Sequence, residues 1–224
     1  MQSITNTNAA NATADGSNAG TTGNLPLGPI NLVVLTDVHS WIGGHERHEP
    51  SLNADYGHVL SFYEKLKDEI SYRQQDDDEK RDVFMVMNGD FMDGTGLSTV
   101  PPEHLTPLLL KMPFAIVNLG NHELYHDETV DWIRHQFIPH WRGHYLTSNT
   151  LWKETGEPLG NRFAYLEGDH STLLVFGFLY NFEGNCPSTI VERVQDVVQQ
   201  KWFVDALQRQ EAYDAILVMA HVSH

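Results

Sequence analysis

Five short apolar runs punctuate the chain: Leu32 to Leu35, Val83 to Met87, Phe114 to Leu119, Thr172 to Phe178 and Ala215 to Met219. Each is short for a helix and rich in Val, Ile, Leu and Phe, as strands covered on both faces are. Between the first two, Tyr56, Val59, Leu60, Tyr63, Leu66 and Ile70 recur at helical spacing, which predicts a helix over about Tyr56 to Arg73. A second helix is expected from about Thr189 to Gln210, on Ile190, Val194, Val197, Val198, Phe203 and Leu207. Pro101, Pro102 and Pro107 mark one brief helix before the third run, and "QDDDEKR", Gln75 to Arg81, reads as a solvated connection. Strands alternating with helices predict an α/β fold with a largely parallel sheet.

In such sheets ligands gather beyond the carboxyl ends of the strands. Four of the five runs end in groups that bind ligands: "LTDVH" supplies Asp37 and His39, "NGDFMD" Asp90 and Asp93, "GNHE" Asn121 and His122, and "MAHVSH" His221 and His224. The remaining run ends "GFLYNF" and supplies none. Taken singly, each has an ordinary reading. Asp37 and His39 suit a surface, Asp90 a turn or helix cap, and His221 a hydrogen-bonded strand end. Four such ends in one chain point to a site.

The chemistry follows from the donor types. Oxygen and imidazole ligands without thiolate suit Mn, Zn, Fe or Mg. Asp90 has two oxygens and can bridge two ions, with Asp37 and His39 serving one and Asn121 and His221 the other. Two ions roughly 3.5–4 Å apart polarise a phosphoryl oxygen and turn water into a nucleophile. His122 is then free to face a substrate and stabilise the leaving oxygen. Asp93 is either a hydrogen-bond partner or a cap, and the cap is the expected role. His45 and His48, in "WIGGHERHEP", are expected on a solvated loop, with substrate contact as the alternative.

Bulk properties narrow the partners. The 224 residues suffice for one large domain, and no window approaches the roughly 20 apolar residues of a membrane helix. A formal charge of −16 argues against a nucleic-acid polymer. It leaves room for a small phosphorylated substrate, because bound cations can outweigh the surrounding carboxylates. The single Cys186 excludes an intrachain disulfide. Residues 1–25 are nearly devoid of apolar side chains and are expected to form a disordered tail without a secretory leader, ahead of one domain over 26–224.

In this order, Asp37-x-His39, Gly89-Asp90, Gly120-Asn121-His122-Glu123 and His221 resemble the motifs of calcineurin-like metallophosphoesterases. "VNLGNHE", "YLTSNT" and "FAYLEGDHSTLLVFGF" resemble the 5'-nucleotidase branch, over about Ile30 to His224. The resemblance implies a β-sheet sandwich flanked by helices, with the metal site at the C-terminal ends of the strands. It implies two divalent ions, with Asp37 and His39 on one, Asp90 bridging, Asn121 and His221 on the other, and His122 catalytic. The implied activity is hydrolysis of a phosphoric ester, with a nucleotide as expected substrate, in an extracellular or vacuolar setting. A phosphodiesterase of cyclic nucleotides or lipids on the same core, or an inactive binding scaffold, are the alternatives. Two departures stand out. The family's Gly-His-x-His block and C-terminal substrate domain are expected only beyond His224. The family's aspartate three residues after the catalytic histidine is Tyr125 here, which leaves the partner of His122 open.

Overall fold

Side chains of the central strands that turn alternately to two core clusters set the layers of the computed structural model, which describes residues 25–44, 54–76, 79–94 and 97–222. Strands β1 (Ile30–Leu35), β2 (Asp82–Asn88), β3 (Phe114–Asn118) and β4 (Tyr145–Leu146) form one parallel sheet in that order. The chain continues through β5 (Thr150–Trp152), β6 (Glu157–Pro158), β7 (Phe163–Glu167), β8 (Thr172–Leu179), β9 (Thr189–Val191) and β10 (Ala215–His221). In a second sheet β8 pairs parallel with β10 and antiparallel with β7, and β6, β5 and β9 make a small antiparallel sheet.

Phe84 and Val86 of β2 join Ile116, Leu166, Leu173, Val175 and Met219 in the core between the two main sheets. The alternate residues Met85 and Met87 point the other way. They cluster with Tyr56 and Tyr63 of α1 (Tyr56–Asp76), Leu109 of α2 (Thr106–Leu109) and Trp132 of α3 (Asp127–Trp132). On the far side, Leu174, Phe176 and Phe178 of β8 pack on Val197 of α4 (Val194–Val197) and Ala206 of α5 (Lys201–Gln208). The result is the expected α/β sandwich, helices outside and two sheets within. Burying each large side chain contributes about 1.5–3 kcal/mol relative to leaving it exposed. The edge strands β1 and β10 keep Leu32, Val34, Ile216 and Val218 exposed.

The long helix expected over Thr189–Gln210 does not form as one piece. Thr189–Val191 pairs with β5 as β9, and extended backbone at Arg193 sets β9 apart from α4 and at Gln200 separates α4 from α5. Adjacent β-branched Ile190 and Val191 favour the pleated surface offered by β5 over helix continuation. "YLTSNT" has a structural task. Ser148 Oγ accepts from Gly177 N at 2.8 Å, and the Asn149 amide both accepts from Leu179 N and donates to Leu179 O. These buried polar groups fasten the segment after β4 to β8 with their hydrogen bonds satisfied. The tail expected over 1–25, apart from Leu25, lies outside the described residues.

Candidate metal centre

The parallel pairing of β1 and β2 carries on past the strands. Asp37 N donates to Gly89 O at 3.1 Å, His39 N to Asp90 O at 2.9 Å and Ser40 N to Phe91 O at 3.1 Å. Both connections turn through left-handed backbone, with φ of 54° at Asp37, 46° at His39, 52° at Asp90 and 58° at Asp93. Asp and His tolerate this region better than most side chains, and such strain persists where the surroundings over-determine it.

A third loop, after β3, is drawn against these two. A Cβ at Gly120 would lie 2.2 Å from both the nitrogen and Oδ1 of Asp90, so only glycine permits the approach. Glu123, fully buried, ties the loops together by accepting from Asp90 N at 2.9 Å, Met92 N at 3.0 Å and Gly120 N at 2.8 Å. Burial, and then the neighbouring Asp90 carboxylate, push Glu123 up to about 8, while the three N–H donors pull the other way.

Asp37, His39, Asp90, Asn121, His122 and His221 line one open cleft of about 450 Å³ beyond the carboxyl ends of β1, β2, β3 and β10, with Phe182 and Val222 at its margin. Asp90 stands at its centre. Its Oδ2 lies 3.8 Å from Nε2 of His39, 3.8 Å from Nε2 of His122 and 3.2 Å from Nε2 of His221, while its Oδ1 accepts from His122 N at 2.9 Å. The donors fall into two groups that share Asp90: His39, Asp90 and His122, and Asp37, Asp90 and His221. Asp37 thus groups with His221 rather than with His39. Asn121 Oδ1 approaches His221 Nε2 at 3.1 Å, and its amide nitrogen donates to the Tyr125 hydroxyl, which turns the oxygen into the cleft.

Each of the three histidines has Nδ1 against an oxygen: the Asp93 carbonyl for His39 at 3.0 Å, the Asp93 carboxylate for His122 at 3.0 Å and the Asn88 carbonyl for His221 at 2.8 Å. An oxygen acceptor at Nδ1 holds a proton on that nitrogen and aims Nε2 at the cleft. Burial works against a charged His221, but the hydrogen bond and charge of Asp90, the Asn88 carbonyl and Asp37 outweigh it and hold the ring at about 9. Burial likewise raises Asp90, yet His221 and the His122 contacts bring it below the usual carboxylate range.

This donor set fits a divalent ion. Imidazole nitrogens, carboxylates and an amide oxygen converge, sulfur is absent, and the side chains lining the cleft include neither Lys nor Arg among the described residues. A cation placed here would offset the two carboxylates that a His221 proton otherwise balances.

The structure corrects the expected role of Asp93, whose carboxylate meets His122 instead of capping a helix. Glu123 and Tyr125 carry bracing roles that the sequence pattern leaves unsaid, although the glutamate of "GNHE" is visible beside the ligand positions. His45, His48 and His224 lie outside the described residues.

Residues 30–224 match the family model for calcineurin-like phosphoesterases, and the chain belongs to that family. It is 31% identical over 205 residues to an uncharacterized protein of Schizosaccharomyces pombe, covering 88% of this chain and 33% of that protein. It is 31% identical over 207 residues to a protein of Arthroderma benhamiae described as secreted, covering 89% and 30%. The chain therefore spans about a third of the length of these relatives. Among solved structures, 5'-nucleotidase from Candida albicans superposes with a TM-score of 0.77 at 28% identity, over 89% of this chain and 38% of that one. A 5'-nucleotidase precursor from Thermus thermophilus, at 14% identity, shares the fold with a TM-score of 0.62, over 86% and 37%.

Proposed function

We infer that this chain carries the catalytic site of a metal-dependent phosphoester hydrolase that holds two divalent ions and acts on nucleotides. The observation that carries the reading is the pair of donor groups sharing one buried carboxylate, Asp90. Asp37, Asp90, Asn121 and His221 would hold one ion, and His39 and Asp90 the other. Two such ions, when bound, supply Lewis-acid polarisation of a phosphoryl oxygen and a more acidic water. The chain's own residues do the rest. Gly120 and Glu123 keep the loops after β2 and β3 in register, and main-chain bonds from Asp37, His39 and Ser40 add the loop after β1, so the donors stay fixed as charge develops. His122, its Nδ1 tied to Asp93, faces the cleft with Nε2 and there holds the proton that the leaving oxygen takes. The nucleotide as substrate is supported by the likeness to the Candida albicans 5'-nucleotidase.

The test is phosphate release from a nucleoside monophosphate and from an aryl phosphate, with manganese and then with chelator. Release of phosphate that stops on chelation is expected. No release from either ester with manganese, zinc, iron or magnesium bound to the protein would remove the hydrolase reading.

A further inference from the structure

The strand end that supplies no metal donor supplies a ring instead. β8 runs out in "GFLYNF", and Phe182 lines the cleft together with Ala220 and Val222 at the end of β10. Main-chain bonds pin this segment at two points. Tyr180 N donates to His221 O at 2.9 Å, and Cys186 N donates to Leu124 O at 2.7 Å, in the turn that follows Asn121. Between these ties the Phe182 ring stands with its centroid 6.1 Å from that of His221. Tyr180 meets it nearly at right angles with centroids 5.3 Å apart, and Phe182 also packs on the larger core cluster, so the ring is held in place.

The other lining side chains are committed. Asp37, His39, Asp90, Asn121 and His221 are the metal donors, and His122 holds the proton for the leaving oxygen. Thr36 Oγ1 is turned to the Asp37 carboxylate. The Asn88 amide donates to Ala220 O at 3.1 Å and accepts from Asn118 Nδ2 at 3.0 Å. What remains of the lining among the described residues is Phe182, Ala220 and Val222, an apolar stretch beside His221, with Val222 and Tyr180 about half exposed. Apolar surface next to a few convergent polar groups is the make-up of a small-molecule site. We propose that Phe182, braced by Tyr180 and flanked by Val222, is the seat for the organic group of the ester, and that the cleft favours phosphoric esters whose organic group carries a flat ring. The proposal rests on the reading of this cleft as a hydrolase site. With the phosphoryl group drawn to the donors around Asp90, the organic group leaves them within the same cleft, and the apolar stretch is the surface open to it. A flat ring laid against Phe182 buries apolar area and adds a ring–ring contact, together about tenfold in binding; a methyl group offers too little area for either.

Phe182→Leu separates this role from packing, because leucine still fills space against the core but lacks the flat face. With phenyl phosphate and a nucleoside monophosphate as substrates, KM is expected to rise about tenfold in Phe182→Leu. With methyl phosphate, KM, kcat and bound manganese are expected to stay within about twofold of wild type. Equal losses with phenyl and methyl phosphate overturn the proposal, since the ring would then support His221 and not the substrate. No change with any ester overturns it as well, and would leave the stretch to be covered by protein. Equilibrium binding of phenylphosphonate and methylphosphonate to the manganese-loaded chain gives a readout without turnover. Wild type is expected to prefer the phenyl compound about tenfold and Phe182→Leu to lose that preference. If the wild-type chain released no phosphate yet showed this ring-dependent preference, the hydrolase reading would fail and the seat would stand. Hydrolysis without the preference would leave the hydrolase reading in place and remove the seat.

Discussion

Nε2 of His221, on the last strand, stands 3.2 Å from Oδ2 of Asp90, at the end of β2. In the metal-free chain a proton fills this contact, and it holds His221 at about 9, above the ordinary value near 6.5. A histidine raised on folding contributes stability that is complete below its unfolded value and is lost as pH rises through its folded value. Glu123, raised from 4.5 to about 8, works in the same direction, because folding holds its proton more tightly. The metal-free chain should therefore lose stability as pH rises from about 4.5 to 9, through Glu123 first and His221 from about 6.5, and a cation that displaces the His221 proton should restore it. Thermal unfolding is expected to show a manganese-induced rise in Tm that is larger at about pH 8.5 than at about pH 6.5. A rise of equal size at both values would show that no proton is displaced.

Asp90 belongs to both donor groups, whereas Asp37 belongs to one. Asp90→Asn should accordingly lose most bound metal and nearly all phosphate release. Asp37→Asn should keep part of its metal, and Asp93→Asn should keep nearly all of it while still losing turnover. Elemental analysis beside a rate measurement separates the three. Equal metal content in the Asp90 and Asp37 variants would mean that the bridging assignment is mistaken.

His122 stands in a donor group with His39 and Asp90, yet its Nε2 is also open to the cleft, and its side chain is 30% exposed. The assignment as proton donor predicts that His122→Ala cuts kcat by about 10²–10⁴ and leaves metal content nearly as in the wild type. Metal loss equal to that of Asn121→Ala would move His122 among the ligands.

Much of this was legible in the chain because the period-two signal and the ligand types coincide. Three strands of the first sheet, β1, β2 and β3, end in ligand-type residues that line one cleft, so Asp37, His39, Asp90, Asn121 and His122 could be read from strand ends. His221 could be read in the same way from β10. Two things were not legible. The run Thr189–Gln210 carries apolar spacing compatible with a helix, and its first residues become strand only because β5 presents an edge to pair with, a contact Ile190 makes with Leu151, 39 residues earlier. The role of Asp93 depends on a left-handed turn that swings its carboxylate towards a loop 29 residues further on, and no local spacing encodes that.

The remaining prediction concerns Glu123, which touches no cleft surface and yet accepts three main-chain N–H groups from two different loops. In Glu123→Ala those donors are left buried without an acceptor, and each costs about 1–3 kcal/mol. Their sum is a large share of the roughly 5–15 kcal/mol by which a domain is stable. Glu123→Gln should be milder. Its single oxygen can replace Oε2, which serves Asp90 N and Gly120 N, while Met92 N would face an amide nitrogen. Denaturant unfolding should therefore rank wild type above Glu123→Gln and Glu123→Ala last. Metal binding should weaken in the same order, because Asp90 and Asn121 flank the loops that Glu123 joins. An alanine variant within about 1 kcal/mol of wild type would show that water or a shifted loop satisfies those donors, and that Glu123 does not hold the site together.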